Sequence, residues 1–104
     1  MNRKDLLARI KDYLKPVYQE RLQGIVLYGS EARKDAGPDS DIDLLILLTG
    51  PINFGRELET IINTLYPLQL EVIRPLQAFP VDIERYRAAD FSLFRQAQSE
   101  GLAA

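Results

Sequence analysis

Two aspartates one residue apart, Asp41 and Asp43, open the most apolar stretch of this chain, "DIDLLILL" at 41–48. In an extended strand successive side chains alternate between faces, so these carboxylates share one face and Ile42 points to the other, toward the core. Two neighbouring carboxylates repel and raise each other's pKa unless a cation lies between them. They are hard oxygen ligands, and the pair suits one or two Mg2+ ions.

A complementary feature precedes them. Gly29 closes the run "IVLYG" at 25–29, and a glycine there lets a ligand approach the backbone. Ser30 follows as an N-cap for a short helix at 31–35, whose free N–H groups attract phosphate. Its hydroxyl adds a further donor. A phosphate cradle beside a metal clamp, on adjacent strands, would hold a nucleoside triphosphate with its metal. Metal held between oxygens supports in-line displacement at phosphorus. Glu71 is the candidate third carboxylate, as metal ligand or general base, on the polar face of a third strand "LQLEVIR" at 68–74. Arg33 either pairs with a nearby acid or contacts phosphate. Tyr28 is expected in the core.

Composition narrows the chemistry further. The chain has 104 residues, enough for one compact domain over 1–104, and contains neither Cys nor His. Thiol nucleophiles, zinc sites of the usual ligand types, Ser-His-Asp triads and imidazole acid–base chemistry are excluded. Disulfides are excluded too, and the polar start and lack of a long apolar run fit a cytoplasmic protein. The formal net charge of -2 has no basic tract behind it, so direct nucleic-acid binding is not expected.

The elements that must position these residues alternate along the chain. Leu6, Leu7, Ile10, Tyr13 and Leu14 form one helical stripe over 5–15, broken by Pro16, with a second short helical piece at 16–22. Strands follow at 25–29 and 41–48. Phe54, Leu58, Ile61, Ile62 and Leu65 mark a helix that Pro67 ends. After the third strand the signal weakens at Pro75 and Pro80, and a terminal helix at 90–101 is stopped by Gly101. The fold class is α/β: a small mixed β-sheet with helices packed on one face.

Gly29-Ser30, ten residues, then Asp41-Ile42-Asp43 before an apolar run resembles the signature of the DNA polymerase β-like nucleotidyltransferase superfamily. "GSEAR" with "SDIDLLI" looks like its MNT, or minimal nucleotidyltransferase, branch. That resemblance implies the antitoxin of a HEPN–MNT toxin–antitoxin pair, transferring AMP from ATP to a tyrosine of its partner, a HEPN-domain ribonuclease toxin. By motif, Gly29, Ser30 and Arg33 would bind the nucleotide, and Asp41 and Asp43 would bind Mg2+. Glu71 departs from the Asp more common at the third position. The alternative is an antitoxin that neutralises its toxin by binding and occlusion, without essential catalysis.

Overall fold

The computed structural model describes residues 1–29, 32, 37 and 40–104. The helix expected at 31–35, and Ser30 and Arg33 with it, lies outside the described residues apart from Ala32.

Helix α1 spans Arg3–Tyr18, with the Asn2 side chain accepting a hydrogen bond from the Asp5 N–H at its start. Pro16 lies inside this helix rather than ending it. Pro16 and Asp12, whose carbonyl loses its partner, are both exposed to water, whereas Tyr18 beyond them is buried. Packing of that ring carries the helix past the proline. A 3₁₀ turn at Gln19–Arg21 leads into β1, Leu22–Tyr28.

β2 spans Ile42–Leu48 and pairs antiparallel with β1. Helix α2 then runs over Phe54–Gln69, capped by Asn53 and continuing through Pro67. Ile61, Leu65 and Leu68 are all buried at helical spacing, so Leu68 belongs to this helix and not to a strand. The third strand is therefore not at 68–74; β3 is Leu76–Asp82, parallel to β2. It contains Pro80, which β3 tolerates because it lies at the sheet edge, in the order β3-β2-β1-β4.

Two short helices follow, α3 at Ile83–Ala88 and α4 at Ser92–Glu100, before β4 at Leu102–Ala103 pairs with β1. Gly101 ends α4 as expected, its N–H donating to the Ala97 carbonyl at 2.8 Å. A β-carbon there would lie 2.7 Å from a Val26 methyl, so only glycine lets the chain turn this tightly onto β1.

The sheet is mixed, as the sequence implied. Its main core lies on one face, where α1 and α2 cover Ile25, Leu27, Ile42, Leu44, Ile46 and Leu48. On the other face Phe94, Ala97 and Ile83 pack against Val26, Leu45, Leu47 and Val81. Tyr28, which pairs with Asp43, packs at the margin of this cluster. Among the described residues no helix is long and apolar enough to cross a membrane.

Candidate active site

β1 and β2 run antiparallel with Tyr28 opposite Asp43, so the end of one strand meets the start of the other. Alternation along β2 sends Ile42, only 3% exposed, into the main core and leaves Asp43 on the opposite face with Leu45 and Leu47. Asp41 lies just before the strand and is exposed. Strand alternation places Asp43 on this face; Asp41 stands one residue outside the strand, near enough for its charge to act on Asp43.

Gly29 follows Tyr28 with φ +73°, a left-handed conformation that glycine adopts without strain. A β-carbon at this position would come within 2.6 Å of Asp43 Oδ2. The backbone of Gly29 and the carboxylate of Asp43 therefore fill one space. The positive φ favours glycine, and a β-carbon here would also make the Asp43 carboxylate shift.

The electrostatics follow from this crowding. Partial burial, and then the neighbouring Asp41 charge, push the Asp43 carboxyl above its usual range; the Arg74 guanidinium opposes them. Burial and the Asp43 charge likewise push Tyr28 up. Such a site disfavours negative charge until a cation arrives. A carboxylate pair fits Mg2+, a hard cation that commonly takes one or two carboxylates and completes its shell with other oxygens. Among the described residues no group of three or more His, Cys, Asp or Glu side chains is placed to hold a metal.

Glu71 does not reach this face. It lies in the turn after α2, where Arg9 of α1 grips both its oxygens at 3.1 and 2.8 Å. That hydrogen-bonded pair holds the Glu71 carboxyl below its usual range. The ion pair ties the turn to α1, the helix that covers the face opposite the aspartates. On β3 the residue in register with Asp43 is Gln77, so an amide occupies the neighbouring position where a carboxylate was expected.

One further side chain escaped the sequence reading. Arg74, in the connection between α2 and β3, donates from Nε to the Ser40 carbonyl at 2.8 Å. Its Nη2 reaches the Asp41 carbonyl at 3.5 Å. An arginine between two elements, just before a proline, carries no periodic signal that would single it out.

A family model described as "Polymerase beta, Nucleotidyltransferase" matches residues 8–102. The chain belongs to this nucleotidyltransferase family. The chain is also 39% identical over 54 residues to the "Putative protein adenylyltransferase MJ0604" of Methanocaldococcus jannaschii, spanning 52% of either protein. It thus covers about half the length of that curated relative.

Its fold is shared with solved toxin–antitoxin structures. A chain of a mutant MntA–HpeT complex superposes with a TM-score of 0.64 at 21% identity, covering 93% of this nucleotidyltransferase and 69% of that chain. A second MntA–HpeT mutant, bearing two aspartate-to-glutamate substitutions, gives 0.65 at 19% identity, covering 92% and 69%. A toxin–antitoxin structure with AMP-PNP gives 0.60 at 22% identity, covering 91% and 69%.

Proposed function

We propose that this nucleotidyltransferase is an antitoxin that transfers AMP from ATP to a tyrosine hydroxyl of a HEPN-domain ribonuclease toxin, and so silences it. The observation that carries this reading is the joint placement of Gly29 and the two aspartates. The positive-φ glycine backbone and the Asp43 carboxylate meet within a few ångströms, and Asp41 is near enough for its charge to act on Asp43. The relatives add direction: one bears the name of a protein adenylyltransferase, and others come from toxin–antitoxin complexes, one of them with an ATP analogue. The two aspartates replaced in one of those mutants are, like Asp41 and Asp43, two positions apart.

In the proposed reaction the tyrosine oxygen attacks the α-phosphorus of ATP. A new O–P bond forms as the bond from the α-phosphorus to the bridging oxygen breaks. Pyrophosphate leaves with that electron pair, and the hydroxyl proton passes to solvent. Mg2+, when bound by Asp41, Asp43 and the phosphates, supplies charge neutralisation for the leaving pyrophosphate. The chain's own work is to bring Asp43 against the side-chain-free backbone of Gly29, with Asp41 just ahead of it, where nucleotide and metal would meet. Gly29, Ser30 and Arg33 are the proposed nucleotide contacts. Gln77, beside Asp43, offers the acceptor or nucleotide an amide rather than a base.

Intact-mass spectrometry of the toxin, incubated with this protein, ATP and Mg2+, tests the reading. AMP-sized additions that vanish with Asp41→Asn/Asp43→Asn support it. A toxin that is bound and inhibited but never modified overturns it in favour of occlusion.

A further inference from the structure

Asp41 is the less constrained of the two aspartates. β2 begins at Ile42, so Asp41 stands outside the strand, and sheet pairing does not fix its backbone. Something else must aim its carboxylate, because a metal clamp tolerates little error in ligand placement.

The connection between α2 and β3 supplies that constraint. Arg74 Nε holds the Ser40 carbonyl at 2.8 Å and Nη2 approaches the Asp41 carbonyl at 3.5 Å. One residue on, the Pro75 carbonyl accepts from the Ile42 N–H at 2.8 Å. The connection is itself held. The Gln69 amide donates to the Val72 and Arg74 carbonyls, both at 3.1 Å, and its oxygen accepts from the Leu76 N–H at 2.8 Å. At its start Glu71 is clamped to α1 by Arg9. A braced loop thus delivers one guanidinium to the backbone just ahead of Ile42.

We propose that Arg74 is a positioning residue of the metal and nucleotide site, acting through the Ser40 and Asp41 carbonyls to set the direction of the Asp41 carboxylate. This inference rests on the proposed metal-dependent function. It assigns Arg74, besides the effect of its charge on Asp43, a task that follows from the planar fork of its guanidinium, which holds two acceptors at once. The two tasks predict opposite results. A cation beside two carboxylates competes with a metal ion, so removing a mere charge tightens metal binding. Removing a positioning contact weakens it, and the loss of residues that orient metal ligands commonly costs 10–100-fold in affinity.

The experiment measures binding of Mn2+ with a non-hydrolysable ATP analogue by electron paramagnetic resonance, for wild type, Arg74→Lys and Arg74→Gln. Thermal melts run in parallel to establish that each variant is folded. Both variants are expected to bind about 10-fold or more weakly, although Arg74→Lys retains the charge. Wild-type affinity in Arg74→Lys, or tighter binding in Arg74→Gln, overturns the proposal. Should Arg74→Gln melt out, Arg74→Lys decides alone, since it keeps the charge and the aliphatic stem. A wild-type protein that binds no Mn2+–nucleotide brings down the proposed function, and the role of Arg74 with it; a failure confined to the variants' predicted weakening leaves that function standing.

Discussion

A β-carbon on Gly29 would sit 2.6 Å from Oδ2 of Asp43. Gly29 follows β1 and Asp43 lies on β2, yet each limits what the other position can hold. Gly29→Ala meets two penalties: the left-handed φ of +73°, and the displaced carboxylate. The first alone costs about 1–2 kcal/mol. Urea denaturation of Gly29→Ala should show at least that loss, with AMP transfer falling sharply. In Gly29→Ala/Asp43→Ala the contact is gone, so the stability loss attributable to Gly29 should shrink toward the backbone cost. Strictly additive losses would show that the close approach has no energetic consequence.

Asp43 destabilises the fold that carries it. Burial and the Asp41 charge raise its carboxyl above the unfolded value, so the folded chain keeps that proton to higher pH than the unfolded chain does. Stability contributed by this group is therefore full at low pH and is lost as pH rises through the window just above the ordinary carboxylate range. Asp43→Asn removes the ionisation. Without Mg2+, at pH 7, the variant should melt at a higher temperature than wild type, and the two should converge on acidification. Transfer by Asp43→Asn should fall below detection. A lower melting temperature at pH 7 would contradict the electrostatic account.

The site's first half was legible because its signals are local. Ile42 and Asp43 alternate on β2 as strand geometry predicts, with Ile42 in the main core, whereas Asp41 and Gly29 stand just outside their strands. The second half was not, because it depends on where a helix ends. Pro67 announces a stop, but the buried Leu68 extends α2 to Gln69 and shifts the next strand to Leu76–Asp82. That shift moves Glu71 into a turn and brings Gln77 beside Asp43. Pro80 hid the true β3, since only its place at the sheet edge makes a proline there acceptable. Arg74 acts through backbone carbonyls far away in sequence, a relationship that no spacing rule encodes.

Glu71 gives the sharpest test of that revised placement. Its carboxylate is engaged by Arg9 on the side of α1, so Glu71→Gln should leave AMP transfer within about 3-fold of wild type, a small effect for a group outside the reacting centre. Its stabilising contribution is present above the ordinary carboxylate value and fades as pH falls through the lowered folded value. Glu71→Gln and Arg9→Gln should therefore lower the melting temperature by similar small amounts, and the double variant should lose no more than either. Loss of transfer by two orders of magnitude in Glu71→Gln, with the fold intact, would restore its role as a base.

A buried acid, unlike the exposed Glu71, ties down the opposite end of the sheet. Glu57 is only 6% exposed on α2, yet it accepts from the Tyr18 hydroxyl at 3.2 Å and from Arg21 Nη2 at 3.1 Å. Arg21 also holds the Thr49 and Pro51 carbonyls, so the group ties the start of β1 to the end of β2 and the entry of α2. Burial, and then the Glu57 charge, push Tyr18 up to about 12, so it donates throughout the physiological range. Replacing Glu57 by Gln keeps the shape and removes the charge. Charged hydrogen bonds are worth about 1.5–3 kcal/mol, and the partial exposure of Arg21 places the expected loss at the lower end of that range. Because the network lies at the far end of β2 from Asp43, Glu57→Gln should lower stability in urea titrations while Mn2+–nucleotide affinity stays unchanged. A matching fall in that affinity would mean that the two ends of the sheet are coupled.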